Sequence, residues 1–370
     1  MSTPIVEIRH LDPATEEAYS AFYHAVPENL LFTSPAYLAY LRWLLPEAED
    51  RTLLAMRGNE VLGALPCFVR RNETIGTVMN SLPYFGSNAG LMLSAQAPDS
   101  VAETLLRAWA DLARRLDAAA WTMVENPLCP LGRFMDRARL HTLTDRRLGQ
   151  LTPLSGVRAD SAESDLMAMF HQKTRNVVRK AMKSELRFER DESAQGLEAL
   201  FAMHQENMAS VGGRSKQKEA FMGIPRFFRS DRDFRLYLAR DRRGETVAGL
   251  LVFFSNRTAE YYTPAVKSSH RHLQPGSGLV FTAMQDAVAR GMSWWNWGGT
   301  WLTQDGVYRF KSRWGTESRP YTYFIAIRNA ELLRHSQETL QAAFPYFYVR
   351  PFAPVAPYCG DGDSSEKGTP

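Results

Sequence analysis

The chain has 370 residues, 45% of them hydrophobic and 23% charged, with a formal net charge of +4. That balance describes a globular protein with more than one core, and excludes a low-complexity or fibrous chain. No apolar run approaches the roughly 20 residues of a membrane span, and the mildly basic charge suits anionic small molecules as readily as nucleic acid.

In chain order, the opening "MSTPIVEIRHLDPATEE" is acidic and polar where a secretory leader would be basic and then apolar, so a cytoplasmic protein without integral membrane association is expected. "SPAYLAYLRWLL" predicts a helix, with Ser34 as N-cap and Pro35 in the first turn. "RTLLAMRGNEVLGALPCFVRR" predicts two strands about a turn at 57–60. Strand, loop and strand follow in "TVMNSLPYFGSNAGLML". "SVAETLLRAWADLARRLDA" is an amphipathic helix leading into the strand "AAWTMVEN". Residues 127–150, rich in Pro, Gly and Arg, read as a loop between two halves.

The second half repeats the theme. A helix is expected over about 163–184, a strand from "FERD", and helices near 195–210 and 217–229. A three-stranded meander then turns at 243–244 and 256–257, followed by a helix from about Gly278 to Arg290 and the strand "SWWNW". "LLAMRGNEVLGALPCFV" and "LYLARDRRGETVAGLLVFF" align Val61 with Val247 and Gly63 with Gly249, a weak internal repeat that points to duplication of one mixed α/β unit. The expected organisation is an N-terminal domain over 1–150, a C-terminal domain over 151–330, a helix over 331–350 packing back on the body, and a disordered tail over 351–370.

Four stretches could carry chemistry. "FHQKTRNVVRKAMKSELRF" places Lys173, Arg175, Arg179, Lys180 and Lys183 on one helix arc without an acid among them, which suits a solvated face or a phosphate-rich partner. Residues 294–315 hold five of the eight tryptophans. There Asn296, Gly298-Gly299 and the alternation of Arg309, Lys311 and Arg313 with Tyr308 and Phe310 suit either phosphate recognition or an edge strand. The loop 80–90 clusters Asn80, Ser81, Tyr84, Ser87 and Asn88, as pocket-lining loops often do. "HLQPGSGLVF" sets Gly276 and Gly278 where a helix start could cradle an anion, or merely turn. Cys67, Cys129 and Cys359 are few and scattered, and the eight histidines lack metal-ligand spacing, so neither disulfides nor a metal site is expected. No GxSxG elbow, no GxxxxGK[ST] loop and no strand-GxGxxG-helix unit occurs.

"KTRNVVRKAMKSELRFER", Arg214 between two helices, "GETVAGLLVFF", "AEYYTPAV", "LQPGSGLVFTAMQDAVARGMSWWNWGG" and "GVYRFKSRWG" follow in an order that resembles the FemABX-like proteins of the GNAT acyltransferase superfamily. The resemblance covers roughly residues 30–330. It implies an α/β fold with mixed sheets, two tandem GNAT-like domains and a cleft between them. It also implies acyl transfer to an amine, with acyl-CoA or aminoacyl-tRNA as co-substrate and no tightly bound cofactor. Carried over by motif, Lys311 and Arg214 would contact substrate phosphates, and Gly276 and Gly278 would sit at the cofactor turn. The superfamily's [Q/R]-x-x-G-x-[G/A] motif is not kept, since Leu273 stands at its first position and Pro275 removes an N–H.

Attack of an amine on an ester or thioester needs a deprotonated nitrogen and a donor for the oxyanion. Tyr262 or Tyr261 is the expected donor, with Lys311 on a substrate phosphate and Arg309, Tyr84, Asn88 and Asn296 in substrate contact. Glu260, Asp286, Asp305 and His270 are the options for a base. Three functions stay open. The first is an N-acyltransferase acting on a phosphate-bearing amino sugar or related cell-envelope precursor. The second is a tRNA-dependent aminoacyl transferase acting on a peptidoglycan precursor. The third is a non-catalytic relative binding an anion or RNA. A DNA partner is not expected.

Overall fold

The computed structural model describes residues 6–84, 88–130 and 132–351. The expected tail, Cys359 and Ser87 lie outside the described residues.

The first half supplies strands β1 (Glu7–His10), β2 (Ala48–Asp50), β3 (Leu53–Arg57), β4 (Glu60–Leu65), β5 (Phe68–Asn72), β6 (Gly76–Asn80), β7 (Met92–Leu93), β8 (Ala118–Val124) and β9 (Leu143–Pro153). The second supplies β10 (Arg187–Arg190), β11 (Phe234–Arg240), β12 (Thr246–Ser255), β13 (Thr258–Val266), β14 (Trp294–Trp301) and β15 (Glu317–Ile327). A four-stranded sheet runs β1-β3-β4-β7, and an eleven-stranded mixed sheet runs β10-β11-β12-β13-β14-β9-β15-β8-β6-β5-β2.

The centre of that long sheet is interleaved. Strand β9 leaves the first half and pairs antiparallel with β14 of the second, Trp295 facing Thr152. Strand β15 returns from the second half to lie between β9 and β8, with Phe324 opposite both Thr144 and Met123. The sheet is therefore continuous through the region expected to separate two domains.

Local sequence explains most elements. Ser34 Oγ accepts from the Tyr37 amide at 3.1 Å, capping the helix Pro35–Leu44. The helix Asp99–Arg115 turns Val101, Leu105, Leu106, Trp109 and Leu112 into a core against β3, β4 and β8, with Trp109 edge-on to Trp121 at 6.0 Å. The aligned glycines do the same job in each half. A Cβ at Gly63 would lie 3.1 Å from Leu105 Cδ1, and one at Gly249 2.9 Å from Leu200 Cδ1, so each lets a helical leucine settle on a strand.

Three expectations change. The loop 127–150 contains a helix, Gly132–Ala138, and the start of β9, whose seam of buried residues is masked in sequence by Asp145, Arg146 and Arg147. The helix over 163–184 breaks into Ala162–Met169 and Gln172–Lys183, because Phe170 is extended and the His171 ring accepts from the Lys173 amide at 3.1 Å as a new N-cap. The alternation at 309–313 is no edge strand: Asp305–Ser312 is helical. Lys311 and Trp314 turn inward from it, while Val307 and Phe310 stay exposed, so the two-residue alternation of the cations does not mark a strand.

Candidate functional site

Strands β13 and β14 run parallel but pair only from Thr258–Glu260 to Trp294–Asn296, after which they separate. On its other side β13 carries a bulge, the register stepping from Leu251–Thr263 to Val252–Tyr261, so Tyr262 is the extra residue. Splay and bulge together open the sheet at its middle.

Two cavities meet there. One, about 290 Å³, takes Tyr37 and Tyr84 from the first half, Arg147 from β9, Glu260–Tyr262 from β13 and Trp297–Gly299 from β14. The other, about 380 Å³, runs along Arg271, Gln274, Gly276 and Ser277 at the start of the helix Pro275–Ala289, with Phe310 on its far wall. Tyr261 lines both cavities and stands between them.

Charge in the first cavity is sparse and confined. Glu260 is buried, and its Oε1 has no hydrogen-bond partner among the described residues. Loss of water pushes its carboxyl up to about 8, with the side chain of Asn296 pulling the other way. Asn296 is its cross-strand neighbour and spends Oδ1 on the Gly298 amide at 2.9 Å, while its Nδ2 is likewise without a partner among the described residues. Lys216 reaches in from the segment after the helix Ala194–Ser210, its Nζ 3.1 Å from Thr263 Oγ1 and 3.7 Å from the Tyr262 ring centroid. Desolvation lowers that ammonium to about 7. Arg147 is held against Asp145 and stacked by Trp301, with its Cζ 4.1 Å from that ring. Burial raises the Tyr262 hydroxyl well above its ordinary range, so it remains a proton donor.

The expected site residues divide. Tyr262 and Tyr84 line the cavity, and Asn296 stands behind its floor beside Glu260. Arg214 lies at the rim, exposed, 5.8 Å from the ring of Tyr346, which stacks on Tyr84 at 4.6 Å. Lys311 is buried behind the β14 wall, its Nζ donating to Gly299 O and Thr300 Oγ1 at 3.0 Å each and to Gly298 O at 3.4 Å. It fixes the wall and does not line the cavity. Arg309 projects into solvent and pairs with Asp305 at 3.5 Å. Asn88 is buried, does not line the first cavity, donates to Glu125 O at 2.8 Å and stands behind the cavity-lining Tyr321.

The two glycines of the turn sit differently. The helix begins at Pro275, not Gly278, and the amides of Ser277 and Gly278 already donate to Gln274 O. A Cβ at Gly278 would fall 2.3 Å from Phe188 Cζ, so this glycine serves helix packing. Gly276 faces the second cavity.

Among the base options, Glu260 alone enters the first cavity. Asp286 is engaged by Arg235, Arg290 and Tyr237, and Asp305 is exposed on its helix. His270 lies 3.8 Å from Asp241 and lines neither cavity. Arg147 and Lys216 had no local signature. Arg147 sits in a charged run that hides a buried strand, and Lys216 is two residues beyond Arg214 in "GGRSKQK", where nothing in the letters tells which cation turns inward.

Residues 168–312 match the acetyltransferase (GNAT) domain, and no curated protein matches the sequence. Among solved structures the chain is similar to FemX, at 15% identity and TM-score 0.68 over 89% of this chain and 99% of that one. A tandem GNAT protein from the clavulanic acid biosynthesis pathway is similar at 13% identity and TM-score 0.53, over 87% and 98% of the two chains. L-PGS from Bacillus licheniformis is similar at 11% identity and TM-score 0.51, over 90% and 96%.

Proposed function

Taking the chain as a FemABX-like acyltransferase of the GNAT superfamily, we propose that it transfers an acyl group from a thioester donor to an amine held in the cavity beside Glu260. The observation that carries this reading is a buried carboxyl with a raised proton affinity at the point where the sheet splays and two cavities converge on Tyr261.

The donor would occupy the cavity along Gln274–Ser277, with Arg271 as its cation for an anionic group. The acceptor would enter the aromatic cavity, where Arg147, backed by Trp301 and Tyr323, offers a charge for a phosphate and the ring faces suit a sugar. Glu260 takes the proton from the acceptor ammonium, and the freed amine attacks the acyl carbonyl. A hydroxyl of Tyr261 or Tyr262 donates to the oxyanion. As the carbon–sulfur bond breaks, the thiolate leaves and is protonated, and an amide remains. A phosphate-bearing amino sugar or related cell-envelope precursor fits these features. Arg214 at the rim could extend the phosphate contact.

The likeness to FemX favours one second reading, in which aminoacyl-tRNA is the donor and a carbon–oxygen ester bond breaks instead. Incubating the protein with acyl-CoA and a panel of amine acceptors, and following free thiol together with the acceptor's mass, separates the two. Thiol release with a matching mass gain supports the first reading. Transfer from charged tRNA without thiol release supports the second. Turnover of neither donor overturns acyl transfer at this cavity.

A further inference from the structure

The face of the molecule beside the two cavity mouths is apolar and basic at once. Large hydrophobic side chains exposed among the described residues are Met182, Val211, Leu302, Val307, Tyr308, Phe310 and Leu333, and five of these seven lie on two adjoining segments. One is the turn and helix from Leu302 to Phe310, with Leu302 65% exposed. The other is the helix Gln172–Lys183, which carries Met182. The two helices meet end to end. The His171 amide donates to Arg313 O at 2.9 Å, and Phe170 packs on Trp314 at 4.9 Å between centroids.

Their charge is one-sided. Lys173, Arg179, Lys180 and Lys183 are exposed on the first helix, and none forms an ion pair among the described residues. Arg309 and Arg313 extend the same sign along the second, where Asp305 is the single carboxylate on either helix. Surface helices ordinarily mix signs to gain i,i+4 pairs, and isolated apolar side chains are ordinary, but four exposed ones within the nine residues Leu302–Phe310 are not.

We infer that this face docks on an anionic lipid surface. The cations meet the headgroups while Met182, Leu302, Val307, Tyr308 and Phe310 enter the boundary of the acyl chains. Charge alone would fit RNA as well. The aliphatic residues decide between the two, because Leu302 and Val307 have no ring to stack on a base and gain only by leaving water. Position agrees. Trp301, next to Leu302, lines the first cavity, and Phe310 lines the second, so docking would bring both mouths to the membrane plane. The inference does not depend on acyl transfer, since binding is read without any donor.

The test is co-sedimentation of the full chain with vesicles of phosphatidylcholine alone or mixed equally with phosphatidylglycerol. Binding to the mixed vesicles, with little to the neutral ones, is expected. Lys173→Gln with Lys180→Gln should lower the partition coefficient about fivefold for each cation removed. Leu302→Ser with Val307→Ser should weaken binding at low salt and abolish what survives about 1 M salt, where screening reaches ~3 Å. All four side chains are exposed, and melting temperatures equal to the wild type confirm intact folds. Equal binding to both vesicle types, or no effect of the serine pair, overturns the inference. So does tight binding of single-stranded RNA that ignores the serine pair while vesicles are not bound.

Discussion

Replacing Glu260 by glutamine should stabilise the protein while slowing turnover severely. The carboxyl moves from 4.5 in the unfolded chain to about 8 in the fold because burial strips its water. The folded state therefore holds the proton more tightly. Stability is complete below about pH 4.5, declines as pH rises through the interval, and levels off above about 8. At about 1.4 kcal/mol per pH unit, the loss is roughly 3 kcal/mol at neutral pH and approaches 5 kcal/mol at the plateau. Glu260→Gln is neutral throughout and keeps the shape, so it escapes this penalty. Urea unfolding of both proteins from pH 5 to 9 should give midpoints that nearly coincide at the acid end and separate steadily toward pH 8. Lys216, whose ammonium is lowered to about 7, imposes the opposite slope above neutrality. Because both proteins share it, it cancels in the difference. Over the same range, wild-type kcat/KM should rise with pH as Glu260 loses its proton, and the variant should lose about 10² to 10⁴ in rate. A stability difference that stays flat with pH, or a glutamine variant weaker at every pH, would refute a buried protonated carboxyl.

Other substitutions test the frame. Lys311→Met removes the donor to Gly298 O, Gly299 O and Thr300 Oγ1 and should cost about 1–3 kcal/mol. Since burial lowers this ammonium to about 8, wild-type stability should climb from about pH 8 toward 10.5, a climb absent from the methionine variant. Arg309→Ala should change the melting temperature little, because its ion pair is exposed. Gly278→Ala should lose about 1–3 kcal/mol through the clash with Phe188, whereas Gly276→Ala, whose nearest contact is Val266 Cγ2 at 3.2 Å, should be milder. Arg147→Ala removes the cation from buried Asp145, leaving it the Tyr348 hydroxyl, and should destabilise by roughly 3–5 kcal/mol in denaturant titrations. Arg147→Lys should restore part of that stability and none of the stacking on Trp301.

Legibility followed the range of the interactions. The capped helix at Pro35–Leu44, the meander of β11 to β13 and the helix Asp99–Arg115 rest on near neighbours, and their letters announce them. The order of motifs that resembles the FemABX-like proteins was readable for the same reason, as a succession of local units. Strand β9 was not, because its partners β14 and β15 lie more than 140 residues away along the chain and its burial is imposed by them. The site shows the same division. Tyr262 and Glu260 were visible as polar letters in a strand, but that both lose their water at one cavity depends on the bulge of β13 and the splay of β14. Lys311 stood out as a cation among aromatics, yet its direction is set by the helix Asp305–Ser312, whose period the alternating letters concealed. Arg147 and Lys216 owe their roles to rings contributed by other segments, and such convergence leaves no pattern in the order of residues.

The exchange of β9 and β15 has a mechanical side. Two-lobed enzymes that close on their substrates swing about a thin connection, but here eleven strands from both halves are stitched side by side, with β13-β14-β9-β15-β8 at the centre. Any swing would tear ladder hydrogen bonds in the middle of the sheet. The cavity is accordingly a fixed jaw. The same stitching ties the lobes' fates together: a fragment ending before β15 would leave β8 and β9 with bare edges, and neither half could survive as a separate gene product without the other's strand.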